Sequence, residues 1–126
     1  MDLIEVISDL VKFKTITGNA SEIDKCLTYI HDKAVSFGAN VNIYRFNNAS
    51  PVIMATNCDT KNFDVLILGH IDVVKAEDDM FVPILKDNKM FGRGTLDMKS
   101  FAAVALNSLE YIIKNKFNLS IYDFLH

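Results

Sequence analysis

The spacing of apolar and polar positions changes several times along the chain, and each change marks an element. Over residues 2–14, Leu3, Ile7, Leu10 and Val11 recur at helical spacing, with Glu5, Asp9 and Lys12 left for solvent. This predicts an amphipathic helix. Thr15 to Ala20 breaks the pattern, and Gly18-Asn19 supplies turn chemistry. A second helix is expected from Ser21 to Phe37. Ser21 is its candidate N-cap, Ile23, Leu27, Ile30 and Ala34 form the inward stripe, and Gly38 ends it. Val41 to Tyr44 alternates apolar with polar, as a half-exposed strand does. After a turn at Asn47 to Ser50, Pro51 to Thr56 reads as a short apolar strand. Val65-Leu66-Ile67-Leu68 is an unbroken apolar run, the pattern of a strand covered on both faces.

Beyond Gly69 the pattern loosens. Lys75 to Asp79 reads as a charged, exposed loop. Phe81 to Leu85 and Lys89 to Phe91 flank Lys86-Asp87-Asn88, which predicts a hairpin. From Asp97 helical spacing returns, with Phe101, Ala105, Leu109, Ile112 and Ile113 on one face and Glu110 and Lys114 as an i,i+4 pair on another. Asn115 to Asn118 ends this helix, and Leu119 to Leu125 returns to a strand that Asp123 interrupts. Helices alternating with strands predict an α/β architecture.

Composition narrows the class. The 126 residues suffice for one domain with a hydrophobic core, and 50% apolar with 23% charged residues is a globular balance. A net charge of −3 gives no reason to expect a nucleic-acid partner. No apolar run approaches the roughly 18 residues of a membrane span, and Met1-Asp2-Leu3 lacks the basic start of a signal peptide. The expectation is a cytoplasmic protein with no membrane partner. Cys26 and Cys58 show no CxxC spacing and read as small hydrophobes in a reducing compartment.

Two stretches carry chemistry. Gly69-His70-Ile71-Asp72-Val73-Val74 follows the most apolar strand, and ligand sites in α/β sheets gather beyond strand carboxyl ends. His70 can bind a metal through one ring nitrogen. Asp72 falls on the same side in extended chain and can accept the other ring N–H. An isolated HxD is more often a half-buried histidine with a local partner. The second stretch is Gly92-Arg93-Gly94-Thr95-Leu96-Asp97-Met98-Lys99. Its glycines permit a tight backbone path close to another group. Asp97 opens a helix in this reading, where it is either simply an N-cap or a carboxylate held to bridge two metal ions.

Taken together, GHIDVV, a charged loop, a hairpin, FGRGTLDMKS and an apolar helix resemble the acetylornithine deacetylase, succinyl-diaminopimelate desuccinylase, aminoacylase and carboxypeptidase family of zinc metallohydrolases. The resemblance runs from about Leu3 to Tyr122, and GTLDMKSF leans weakly to the acetylornithine deacetylase branch. It implies an α/β, mostly parallel mixed sheet with flanking helices, forming the N-terminal part of a catalytic domain over residues 1–126. The later half of that domain and a dimerisation domain are then absent. It implies that His70 binds one zinc, Asp97 bridges two, and Asp72 is the catalytic residue that orients His70, with cobalt an alternative metal. The activity implied is hydrolysis of a small N-acyl amino acid in amino-acid biosynthesis, by a metal-bound water and a glutamate base.

The chain departs from the family pattern at Lys75, where a proline is usual, at Ser100, where a glycine is usual, and in having no Trp, so that Met80-Phe81 is expected to fill that space. No acidic pair follows the strand ending Tyr122-Asp123-Phe124-Leu125-His126, and His126 reads as solvated rather than as a ligand. The expectation is therefore a truncated or split hydrolase, inactive alone and completed by a second chain, with deacetylase-like, desuccinylase-like and dipeptidase-like versions open. A non-catalytic remnant and a small module holding one metal remain open as well. Exposed sheet or helix surface predicts self-association.

Overall fold

A computed structural model describes residues 1–126 except Asn48 and Lys61. Helix α1 spans Leu3–Lys12 and starts where the Asp2 carboxylate accepts from the Ile4 and Glu5 backbone N–H groups, at 2.9 and 3.3 Å. Val6, Leu10 and Val11 are its buried face, with Leu3 and Ile7 half-buried beside them. Helix α2, Ala20–Ser36, buries Ile23, Leu27, Ile30 and Ala34 as the spacing predicts, and Cys26 with them. Its cap is Asn19 rather than Ser21: the Asn19 side-chain oxygen accepts from Glu22 N–H at 3.4 Å, two residues earlier than expected.

Strands β1 (Asn40–Phe46) and β2 (Ala49–Thr56) form an antiparallel hairpin. The turn expected at Asn47 to Ser50 includes Asn48, which lies outside the described residues. Strand β3 is Val65–Gly69. The hairpin predicted near residue 87 forms from β4 (Ile84–Lys86) and β5 (Lys89–Phe91), with Asp87 and Asn88 both at positive φ, the conformation of a two-residue hairpin turn. Its first strand is shorter than expected because Asp78–Phe81 curls into a single tight turn. Of the pair expected to replace the family tryptophan, Phe81 is buried and Met80 is exposed. Helix α3 is Ser100–Asn115, closed by Lys116 in the left-handed region, and β6 is Ile121–Leu125.

The main sheet has the order β1-β2-β6-β3. Its class is as expected, a mixed sheet flanked by helices. The expectation that it is mostly parallel is corrected: β1 with β2 and β2 with β6 are antiparallel, and β3 with β6 is the parallel pair. The reason is that β1 and β2 join as a hairpin, whereas β3 reaches β6 through a long crossover containing α3. Ile53, Ala55, Ile121 and Leu125 point from the sheet into one cluster with Val6, Leu10, Leu27, Ile30, Ala102, Leu106 and Leu109 of the helices.

Two further expectations change here. Strand β3 is not covered on both faces: it is an edge strand, and Leu66 and Leu68 are 62% and 57% exposed. On α3 the buried face is Ala102, Ala103, Ala105, Leu106, Leu109 and Glu110, while Phe101 is partly exposed. The Glu110 and Lys114 pair forms at 2.6 Å, and Glu110 also pairs with the N-terminal ammonium of Met1 at 2.9 Å. No helix among the described residues is long and apolar enough to cross a membrane. Cys26 and Cys58 are both free thiols, and burial pushes the Cys26 thiol up to about 12.

Candidate functional site

Strand β3 ends at Gly69, where a Cβ would lie 2.9 Å from Phe101 Cδ1 and 3.0 Å from Leu125 Cδ2. The missing side chain lets the strand end sit directly against α3 and β6. Backbone pairing continues past it, with His126 N–H donating to Gly69 at 3.2 Å and Ile71 N–H donating to His126 at 2.7 Å. Ile71 is fully buried, which anchors the segment and leaves His70 and Asp72 on the other side of the backbone. His70 Nδ1 lies 3.1 Å from Asp72 Oδ1 and 3.1 Å from the Asp72 carbonyl oxygen. The carbonyl can only accept, which places a proton on Nδ1 and, in the neutral ring, leaves the Nε2 lone pair free. Nε2 faces Asp97, 3.3 Å from its Oδ1.

Asp97 reaches that place from a kinked turn, Thr95–Lys99, that follows Gly94. Gly94 has φ +86°, and a Cβ there would meet Val73 Cγ1 at 2.8 Å and Lys99 Cδ at 2.9 Å, so the close backbone path expected of the two glycines is present. The expectation that Asp97 opens the helix is corrected. Its backbone is extended (φ −127°, ψ 98°), α3 begins three residues later, and no side chain caps it. The tertiary fold overrides the local capping preference because Lys99, immediately before α3, is drawn fully into the interior. The Lys99 ammonium donates to the Phe13 carbonyl at 2.7 Å and lies 5.9 Å from the centre of the Phe81 ring. Burial pushes it down to about 8. The Asp97 side chain is left 82% exposed.

His70, Asp72 and Asp97 thus share one cleft of about 280 Å³, with Thr17 and Arg93 also in its wall. The donor set fits a divalent metal. Two ligand atoms each about 2.0–2.1 Å from a tetrahedral zinc lie about 3.3 Å apart, and His70 Nε2 and Asp97 Oδ1 are separated by that distance. Among the described residues, no group of three His, Cys, Asp or Glu side chains is placed to hold one ion. His126 is exposed, with its ring centre 6.1 Å from that of His70.

Residues 66–122 match the model of peptidase family M20/M25/M40. Along 96% of its length the chain is 31% identical to a succinyl-diaminopimelate desuccinylase from Helicobacter pylori, covering 35% of that protein. Over residues 66–122 the chain is similar to the M20/M25/M40 family. It is also 27% identical, over 94% of its length, to an acetylornithine deacetylase from Buchnera aphidicola, covering 34% of that protein. Its fold matches an M20 family metallo-carboxypeptidase from Sulfolobus solfataricus with a TM-score of 0.85 at 18% identity, over the whole of this chain and 30% of that one. The chain therefore spans about a third of the length of these relatives.

Two residues of this region were not singled out by sequence reasoning. Thr17 reaches the cleft from a turn that reads only as a pattern break. Lys99 appears in the motif as an ordinary charge, and nothing in its spacing signals burial.

Proposed function

We propose that this chain contributes the His70 and Asp97 side of a zinc- or cobalt-dependent site that hydrolyses the amide of an N-acyl amino acid, as acetylornithine deacetylases and succinyl-diaminopimelate desuccinylases do. The observation that carries the reading is the His70 ring held between two carboxylates in a strand-end cleft, with its free nitrogen 3.3 Å from an Asp97 oxygen. His70 and Asp97 would be the metal donors, and Asp72 would fix the His70 tautomer. A metal there supplies polarisation of the amide carbonyl and acidification of water. The rest of the chemistry in this reading falls to side chains. Asp72 keeps the His70 proton on Nδ1, and Asp97, open to solvent, places negative charge on the cleft rim.

Two donors make a weak metal site, because a catalytic zinc ordinarily takes three protein ligands. The chain alone is therefore expected to release no amine from N-acetylornithine or N-succinyl-diaminopimelate in excess zinc or cobalt. Mixing it with a chain carrying the later segments of an M20 relative should give turnover that His70→Ala abolishes. Turnover that survives His70→Ala would overturn the assignment.

A further inference from the structure

We infer that Thr17 is a positioning residue for His70, acting through Asp72; the inference rests on the metal-site reading above and extends it by one residue. The turn between α1 and α2 runs beside residues 71–73. Thr17 N–H donates to the Val73 carbonyl at 3.0 Å, and Val73 N–H donates to the Thr15 carbonyl at 2.9 Å. The Thr15 hydroxyl, fully buried, donates to the Ile71 carbonyl at 2.6 Å. These bonds fix the Thr17 backbone relative to Asp72, so its hydroxyl is delivered rather than adventitious. That hydroxyl donates to Asp72 Oδ2 at 2.6 Å, the short distance of a charge-assisted bond, while the Val73 carbonyl stands farther off at 3.4 Å.

Thr17 therefore holds Asp72 Oδ2, while Oδ1 lies 3.1 Å from His70 Nδ1, whose hydrogen bond goes to the Asp72 carbonyl. This matters because the terminal torsion of an aspartate is broad and settles in no narrow well unaided. The Thr17 hydroxyl on Oδ2 sets the plane of the carboxylate, and that plane fixes where Oδ1 stands beside the His70 ring, whose Nδ1 is hydrogen-bonded to the Asp72 carbonyl. The contacts run from the Thr17 hydroxyl to the Asp72 carboxylate, and from Asp72 through its carbonyl to His70 Nδ1–H, with Nε2 turned to Asp97. The same turn is tied to the other wall of the cleft, since Lys99, two residues beyond Asp97, donates to the Phe13 carbonyl. The Phe13–Thr17 segment thus braces both walls of the cleft, and Thr17 is its contact to the orienting carboxylate.

Thr17 is exposed, so substitution there leaves the core untouched. The test compares the full chain with Thr17→Val, which keeps the shape and removes the hydroxyl, and Thr17→Ser, which restores it. Long-range ¹⁵N–¹H spectra of the metal-free protein read the environment of the His70 ring nitrogens, cobalt titration followed by visible absorption reads metal affinity, and thermal melts read the fold. Thr17→Val should shift the His70 ring ¹⁵N resonances and weaken cobalt binding roughly tenfold, the low end for a partner behind a metal ligand. Thr17→Ser should match the parent in both, with all three melts alike. Unchanged His70 ring resonances and affinity in Thr17→Val, or a Thr17→Ser as impaired as Thr17→Val, would overturn the inference. A parent that binds no cobalt would overturn the metal reading instead, and the His70 spectra would still decide the role of Thr17.

Discussion

Asp72 and Asp123 are aspartates of opposite circumstance. Asp72 lies just past the end of β3, partly open to solvent, with one oxygen near His70 and the other bonded to Thr17. Asp123 lies in the middle of β6, opposite Ala55 on one side and Ile67 on the other, 2% exposed. Neither of its oxygens has a hydrogen-bond partner among the described residues. Burial alone pushes its carboxyl up to about 7. The difference lies in what a strand offers at each position. Inside a sheet the backbone donors are consumed by the ladder and the neighbours are apolar, so a carboxylate there is stranded. Beyond a strand end, loops bring free hydroxyl and ring donors, and the charge stays partly solvated.

The largest expected effect comes from removing the stranded charge. The Asp123 pKa is raised above its ordinary 3.8, so the protonated carboxyl is what the fold accepts. Its stability is fully present below about pH 4, falls as the pH climbs to about 7, and is lost above that. Asp123→Asn should raise stability on the order of 4 kcal/mol near pH 8 and change little near pH 4. Urea midpoints at the two pH values check this, and parallel shifts at both would refute it. Asp72→Ala should do the reverse, leaving the urea midpoint near the parent's while lowering zinc affinity by about 10–100-fold. A large loss of stability with unchanged zinc affinity would make Asp72 structural. A third aspartate sets the scale: Asp2 only caps α1, so Asp2→Ala should lower stability by about 1 kcal/mol and leave zinc binding alone.

The same contrast explains what could be read from the chain. Helical spacing located α1 and α2 because their buried stripes face one core. The His70, Asp72 and Asp97 cluster was legible because two short motifs fall at a strand end and beside a glycine turn. What failed was information that spacing does not carry. The apolar run of β3 encodes a preference for burial, not the identity of its neighbours, so its edge position was invisible. Asp97 before an apolar run satisfies every local rule for a cap, and only the inward pull of Lys99 moves the helix start to Ser100. Asp123 was visible as a break in an apolar strand, but its lack of a partner emerges only with the packing. Thr17 is 55 residues from the carboxylate it bonds, and no local pattern links them.

The central claim is that His70 and Asp97 together hold a metal. Zinc titration calorimetry on the parent, His70→Ala and Asp97→Asn tests it most directly. The parent should bind zinc weakly but saturably, His70→Ala should abolish that binding, and Asp97→Asn should weaken it further than any change at Asp2. Zinc affinity that is the same in the parent and in His70→Ala would contradict the site.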